Sequence, residues 1–268
     1  FTGWLDDRGA EEFAGWVDHY GERGVRLQRL EMAHVHACDA VVHNALHSLA
    51  LYRMLAERDS EKPYDAIHFV ESLGHGYYSM LAKKQGLAFD STTMVIGTHS
   101  PRRWLAEAHG EPFDHPIELA DEFLEERSLE LADVVVSPSA PMLDWLRERG
   151  YPLPPRSYVQ QYVTDFEPVD ETLEPGTIEE LVFFGRLEAR KGINAFLEAL
   201  DDLAETGEVT GTLKRVTFLG KESVSAVALE ARDKAWPWAP QVLSDYDRDQ
   251  ALAYLKQPDR KSVVYGKS

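Results

Sequence analysis

The sequence predicts an α/β protein with two Rossmann-like domains, each a parallel sheet with helices on both faces. Short apolar runs alternate with segments of helical periodicity, which is the pattern of βα repeats. An acidic, proline-containing stretch interrupts this alternation between Phe166 and Glu180. A second βα series begins at Leu181. We therefore expect domains at residues 1–166 and 180–268, joined by a linker at 167–179.

The first domain is predicted to begin its sheet before the first long helix. Alternating or continuous apolar residues predict strands over residues 25–30, 64–70, 92–97 and 133–137. Helical periodicity predicts helices over residues 40–56, 77–84, 118–131 and 140–149. Gly150 follows the last helix, as expected for a left-handed C-terminal cap.

The second domain is predicted to open with a strand from Leu181 and to continue with a helix. That helix carries one apolar face, formed by Ile193, Phe196, Leu197, Leu200 and Leu203. A second strand is predicted over residues 215–219 and a further helix over residues 248–257. The repetition of strand and helix again indicates a parallel sheet.

The charge and cysteine content exclude several classes of protein. The 268 residues carry 28 Lys and Arg against 46 Asp and Glu, a formal net charge of −18. This argues against nucleic acid as a partner and against broad adsorption to anionic lipid. Cys38 is the only cysteine, which excludes an intrachain disulfide and fits a reducing cytoplasm. No transmembrane run or signal-peptide pattern is present, and the start at Phe1 indicates a chain that begins inside a longer protein.

The strand that begins the second domain ends in a turn suited to a diphosphate. Gly185 allows close approach of the backbone, and Arg186 and Lys191 supply positive charge just before a helix begins. The alternative is a βα turn whose basic residues are only solvated. Neither this turn nor Gly220-Lys221 fits the phosphate-binding loop of nucleoside triphosphatases, because the required Gly and Ser or Thr are missing.

This turn resembles the start of the donor-binding domain in retaining GT-B glycosyltransferases of family four, the group 1 type. Those enzymes follow the same order of strand, Gly-Arg-Leu, Lys-Gly and helix, and the similarity extends over residues 25–256. The resemblance implies two Rossmann-like domains facing a cleft, with the acceptor side in the first and the nucleotide sugar in the second. It also implies that Gly185, Arg186 and Lys191 bind the donor diphosphate without a metal.

The first domain carries three segments that resemble the same family. Thr98-His99 follows a strand, and the resemblance places His99 beside the transferred sugar as the catalytic candidate, with Thr98 at the cleft. Glu71, Gly74 and Gly76 follow another strand and are implied to line the acceptor side. The alternatives are a histidine that binds only loop backbone and glycines that serve close packing. His68, within its strand, is interpreted as a core residue or as one that supports the site residues from behind.

Further polar groups are candidate nucleotide contacts. Ser137 and Ser139 follow the predicted strand at 133–137, and helix capping is an equally good reading of both serines. Gly220 and Lys221 follow the strand at 215–219. A histidine group is interpreted as solvated rather than metal-binding, because it has no cysteine partner and no HExxH pattern. That group comprises His34, His36, His43 and His47.

The resemblance fails at both ends of the chain. The first strand and glycine-rich loop of the family are absent, and so is its Glu-x7-Glu motif. Residues 259–268 do not resemble the family's next strand and are a candidate for non-native sequence. We therefore expect a fragment whose second domain is truncated.

The resemblance implies transfer of a sugar, of hexosyl type, from a nucleoside diphosphate sugar to a hydroxyl group with retention. The acceptor is expected to be a glycan or small molecule, in glycan or cell-surface polysaccharide synthesis, in the cytoplasm or at the inner face of the membrane. No cofactor is expected beyond the donor substrate. Two alternatives stay open, a GT-B nucleotide-sugar epimerase and a non-catalytic fragment that binds nucleotide or glycan or acts as a scaffold.

Overall fold

The computed structural model describes residues 7–28, 43–163, 179–207, 212–221, 236–256 and 260–263. The chain divides into two compact units, Phe1–Thr164 and Asp165–Ser268. Most of the predicted linker lies outside the described residues. None of the helices in the described ranges combines the length and apolar character needed to cross a membrane.

The first unit contains a four-stranded parallel sheet in the order β1-β2-β3-β4. Its strands are β1 Ala66–Val70, β2 Thr93–Gly97, β3 Val134–Ser137 and β4 Ser157–Val159. Its helices are α1 Asp7–Gly21, α2 His43–Glu61, α3 Tyr77–Lys84, α4 Arg102–His109, α5 Pro116–Leu131 and α6 Ala140–Glu148. A short 3₁₀ turn, Ser72–Gly74, joins β1 to α3.

The predicted strands at 64–70, 92–97 and 133–137 are confirmed as β1, β2 and β3 with small shifts of their ends. The strand predicted at 25–30 is wrong where the structure describes it, because residues 25–28 are irregular. Alternating apolar residues therefore did not suffice to form a strand there. Arg29 and Leu30 lie outside the described residues.

Three elements of the first unit were not predicted: α1, α4 and β4. Helix α4 has no buried side chain, and two of the three residues of β4 are exposed. Helix α4 has only eight residues and β4 only three, and elements this short offer few positions from which a period can be read.

The core of the first unit places the loops that follow the strands at one edge. Buried side chains of the sheet, such as Phe69 and Met94, pack with buried side chains of the helices, such as Leu129 of α5 and Leu146 of α6. Val70 pairs with Gly97, and Gly97 pairs with Val136. Because the strands are parallel and in this register, the segments after β1, β2 and β3 begin beside one another.

The second unit contains another parallel sheet, in the order β7-β6-β5-β8. Its strands are β5 Glu180–Phe184, β6 Arg215–Leu219, β7 Ala239–Leu243 and β8 Arg260–Val263. Its helices are α7 Ile193–Thr206 and α8 Arg248–Leu255. A second 3₁₀ turn, Ala189–Lys191, lies between β5 and α7.

The apolar face predicted for α7 is confirmed. Ile193, Phe196, Leu197 and Leu200 are buried against β5 and β6, and Leu203 packs partly buried beside them. The turn between β5 and α7 is held at both ends, because β5 and α7 each contribute side chains to this cluster.

Strands β7 and β8 were not predicted. Pro240 lies within β7 and weakens its strand signal. Strand β8 pairs with β5 from Glu180 to Phe183. It covers four of the ten residues at 259–268 whose sequence does not resemble the family's next strand, and the other six lie outside the described residues.

Candidate functional site

A buried carboxylate holds the loop that carries His99. Glu71 directly follows β1, and its side chain is fully buried. One carboxylate oxygen, Oε1, accepts hydrogen bonds from the backbone N–H of His99 at 2.8 Å and of Ser100 at 2.6 Å. These two N–H groups follow β2 and lie beyond the pairing with its neighbours. Glu71 therefore supplies the acceptors that this turn needs.

The ring of His99 remains accessible above this carboxylate. Its side chain is 44% exposed. The Nδ1 atom lies 3.3 Å from the carbonyl oxygen of Gly97 and 3.6 Å from Oε2 of Glu71. The exposed ring of Tyr162, just beyond β4, lies with its centroid 5.7 Å from the His99 ring. Tyr162 was missed by the sequence analysis because β4, which leads to it, was not predicted.

His68 lies on the same side of the sheet as His99. The core reading of His68 is wrong, because the residue is exposed in the structure, and its reading as a residue that supports the site stays a prediction. Its ring lies over Gly97, where an added Cβ would be 2.7 Å from Nε2. Partial burial and the neighbouring His99 lower the pKa of His68. His68, His99 and Tyr162 thus form an aromatic and imidazole surface at the carboxyl ends of β1, β2 and β4.

Glu125 on α5 is a second buried carboxylate that the sequence analysis missed. It accepts backbone N–H groups from Leu73 at 2.9 Å and Arg102 at 2.7 Å. Burial raises its pKa to about 8 despite these two hydrogen bonds. Glu125 joins the segments after β1 and β2 to α5. No local sequence motif identifies Glu125 as a buried residue, because its partners Leu73 and Arg102 are distant in the sequence.

Close packing accounts for the two glycines after β1. A Cβ on Gly74 would lie 2.2 Å from Cβ of Leu124, and one on Gly76 would lie 2.9 Å from the ring of Phe69. The structure therefore supports the packing reading of both residues, and their contact with an acceptor stays a prediction. Thr98 is fully buried, and its hydroxyl makes no hydrogen bond to any described residue.

The serines after β3 are engaged within their own turn. The Ser137 hydroxyl donates to the carbonyl of Ser139 at 3.0 Å. The Ser139 hydroxyl accepts the N–H of Met142 at 3.4 Å and caps α6. These contacts support the capping reading, and contact with a nucleotide stays a prediction for both residues.

A histidine cluster lies at the start of α2. The ring centroids of His43 and His47 are 4.3 Å apart, and His75 lies 5.7 Å from His47. Burial lowers the pKa of His75 to about 4, so its ring is neutral near pH 7. In the part of the chain that the structure describes, no three His, Cys, Asp or Glu side chains are arranged to hold a metal. His34 and His36 lie outside that part.

The glycine turns of the second unit touch through their backbones. Gly185 follows β5 and Gly220 follows β6, with φ angles of +150° and +154°. A Cβ on Gly220 would lie 1.9 Å from the carbonyl oxygen of Gly185. The N–H of Leu187 also donates to the carbonyl of Lys221 at 3.1 Å. The structure thus brings the two predicted segments, Gly185-Arg186 and Gly220-Lys221, side by side.

Positive charge collects at this turn. Arg186 is 59% exposed, and its Nε lies 3.6 Å from Oε1 of the buried Glu188. Arg190 is largely buried and binds the same oxygen at 2.6 Å. Burial and the neighbouring Arg190 and Arg186 lower the pKa of Lys191, which has no ion pair within the described residues. Three cations and one carboxylate leave a local charge of +2 in a chain of net charge −18.

This arrangement is suited to an anion with two charges. An approaching diphosphate would relieve the repulsion among the three cations and would meet the exposed Arg186 first. Arg190 and Glu188 were missed by the sequence analysis. Their signal was present, since both lie in the turn between Arg186 and Lys191, but their mutual pairing appears only in the folded chain.

A family model described as a glycosyl transferase 4-like domain matches residues 6–160, more than half of the chain. No curated protein sequence matches. Among solved structures, the apo form of the lipopolysaccharide outer core galactosyltransferase WaaB is similar with a TM-score of 0.51 and 15% identity, covering 80% of this chain and 52% of that one. The chain therefore spans about half the length of that structure, and at this identity the similarity shows the fold alone.

Two further structures are similar at lower scores. The α,α-trehalose-phosphate synthase (UDP-forming) from Burkholderia vietnamiensis has a TM-score of 0.48 and 15% identity, covering 93% of this chain and 59% of that one. The catalytic domain of starch synthase IV from Arabidopsis thaliana, bound to ADP and acarbose, has a TM-score of 0.46 and 13% identity. That match covers 81% of this chain and 54% of the synthase domain.

Proposed function

Because the chain belongs to the glycosyl transferase 4-like family, we propose that it serves in the transfer of a sugar from a nucleoside diphosphate sugar to a hydroxyl group. The observation that carries this proposal is the cationic turn after β5. Two glycine turns in contact, an exposed Arg186 and a Lys191 without an ion pair in the described part of the chain form a place for a diphosphate. The sheet below supports it, since ligands of parallel α/β sheets bind beyond the carboxyl ends of the strands.

Arg186 and Lys191 stabilise the leaving diphosphate in this proposal. Negative charge grows on the diphosphate as its bond to the sugar breaks, so the attraction to fixed cations is greatest in the transition state. Arg190 holds Glu188 and keeps that carboxylate from neutralising Arg186 fully. The cations thus take the role that a metal has in other diphosphate sites, and we propose transfer without one.

The proposal also covers the role of His99, the stereochemistry of transfer and the class of acceptor. His99 contacts hydroxyl groups of a sugar through its exposed ring, and the reaction retains the anomeric configuration. The acceptor is a glycan or a small molecule with a free hydroxyl group, in glycan or cell-surface polysaccharide synthesis. The protein acts in the cytoplasm or at the inner face of the membrane.

Calorimetric titration with UDP, ADP and GDP tests the diphosphate site. Arg186→Ala and Lys191→Ala should each weaken binding about 10- to 150-fold, the equivalent of one charge-assisted hydrogen bond of roughly 1.5–3 kcal/mol. Lys214→Ala is the matched control, because Lys214 is an exposed cation that precedes β6 at the opposite end of the sheet. Equal affinities in all three variants would show that neither Arg186 nor Lys191 binds the diphosphate.

Turnover is then measured with nucleoside diphosphate sugars. Release of the diphosphate, with the sugar on an acceptor or on water, supports transfer, and the anomeric configuration of the product reports retention. Binding without release would support the non-catalytic alternative. A donor sugar returned with one inverted carbon would support the epimerase.

A further inference from the structure

Glu71 lies in a buried position, where loss of hydration makes an ionised carboxylate unfavourable. Its side chain has no exposed surface, although the residue lies at the edge of the sheet that carries the candidate site. Burying a carboxylate is unfavourable unless hydrogen bonds replace its lost hydration. The N–H groups of His99 and Ser100 provide that replacement at one oxygen, Oε1. The second oxygen, Oε2, has no hydrogen-bond partner among the described residues.

The groups around the His99 ring determine where its proton lies. Nδ1 is 3.3 Å from the carbonyl oxygen of Gly97 and 3.6 Å from Oε2 of Glu71. A carbonyl oxygen can only accept a hydrogen bond, and an ionised carboxylate can only accept one. With Glu71 ionised, a hydrogen on Nδ1 faces two acceptors, whereas a lone pair on Nδ1 would face two other lone pairs. In the neutral ring a hydrogen on Nδ1 leaves Nε2 with a free lone pair, which can accept a hydrogen bond.

We propose that Glu71 is a positioning residue for His99. Its Oε1 fixes the backbone of His99 and Ser100, and the charge on its Oε2, 3.6 Å from Nδ1, favours the Nδ1–H tautomer. Nε2 is then presented as an acceptor for a hydroxyl group of the substrate. The identity of that ligand rests on the proposed function, whereas the tautomer does not. This assignment replaces direct acceptor contact by Glu71, because its buried carboxylate offers no surface to a ligand.

The charge of Glu71 is set by two opposed effects. Burial raises its pKa, and the N–H groups of His99 and Ser100 lower it. Because both N–H groups point at Oε1, that oxygen cannot carry a proton without losing them. A proton on Glu71 would therefore lie on Oε2, and the net shift of the pKa is upward, led by burial. The proposal requires Oε2 to be ionised at the pH of the measurement, because only then does it attract Nδ1–H.

The tautomer can be read directly by ¹⁵N NMR of the imidazole nitrogens on the full 268-residue chain. The His99 signals are identified by their loss in His99→Gln. We expect Nδ1 to be the protonated nitrogen in the unmodified protein at a pH where the ring is neutral. Protonation on Nε2 instead would overturn the proposal, and this measurement needs neither substrate nor a Glu71 variant that folds.

Glu71→Gln tests the carboxylate itself. Its carbonyl oxygen can still accept from the backbone of His99 and Ser100, but its NH₂ group places hydrogens where Oε2 carried negative charge. The population of His99 should therefore shift toward the Nε2–H tautomer. Glu125→Gln is the matched control, since it also removes a buried carboxylate from this part of the fold but has no contact with the His99 ring. Equal tautomer populations in the two variants would overturn the proposal.

Kinetic measurements distinguish a positioning role of Glu71 from a general loss of stability in the variant. In Glu71→Gln we expect kcat/KM to fall at least about tenfold, while the affinity for UDP stays unchanged because the diphosphate turn belongs to the other unit. A parallel loss of UDP affinity and activity would indicate global damage and would count against the proposal. If the unmodified protein shows no transfer at all, the proposed function fails, and the tautomer measurement still decides the role of Glu71.

Discussion

The buried Glu125 should make the protein less stable as pH rises. Its pKa is raised from 4.5 to about 8, with burial as the largest cause. Between these two values the folded chain binds a proton at Glu125 that the unfolded chain has lost. The free energy of unfolding therefore falls with rising pH by about 1.4 kcal/mol per pH unit. Below pH 4.5 both states are protonated, and above pH 8 neither is, so the slope is confined to this window.

The magnitude is large enough for urea denaturation to detect. Between pH 5.5 and 7.5, this single group lowers the free energy of unfolding by about 2.5 kcal/mol. Glu125→Gln cannot titrate, so the difference in stability between that variant and the unmodified protein should change by this amount over the two pH values. Comparing differences removes the contribution of other titrating groups.

Glu126→Gln is the control for this experiment. Glu126 is the next residue of α5, and its side chain is 37% exposed. Its substitution should change stability by nearly the same amount at both pH values. If Glu125→Gln also shows a difference that is independent of pH, then burial of Glu125 does not raise its pKa and the reasoning is refuted.

Two backbone predictions follow from the glycines. Gly74→Ala should destabilise the protein by about 1–3 kcal/mol more than Gly86→Ala. Both have φ near +60° to +70°, but only Gly74 faces Leu124, whereas Gly86 has open space; equal losses in thermal or urea unfolding would contradict the packing explanation. Gly220→Ala should also lower the free energy of unfolding more than Gly86→Ala does, because its Cβ would meet the carbonyl of Gly185. The clash should separate the two turns, so UDP titration should show weaker binding. Retained affinity would show that this contact does not shape the site.

Local sequence determined most strands and helices of both units. Strands β2, β3, β5 and β6 are short, largely apolar runs, and a parallel sheet covered by helices buries such runs, whereas β1 alternates buried and exposed residues. The turn from Gly185 to Lys191 stays a predicted diphosphate site, and that prediction could be made locally because its glycine, its cations and the following helix are consecutive. In each case the physical cause acts between neighbours in the chain.

Tertiary structure decided the chemistry around His99. Glu71 lies 28 residues before His99, and nothing in its local sequence shows that its carboxylate would turn inward to bind that loop. Glu125 lies 52 residues after Leu73 and is one of several glutamates on α5. Which carboxylate is buried depends on the packing of α5 against the segments after β1 and β2.

The same distinction applies to the second unit. The sequence contained Gly185 and Gly220 as two separate strand ends, but only the register of β5 with β6 brings their backbones into contact. Strands β4 and β7 have weak local signals and formed because the neighbouring strands β3 and β6 provided hydrogen bonds for them. Local pattern thus determined the elements, whereas long-range packing determined which side chains and turns meet.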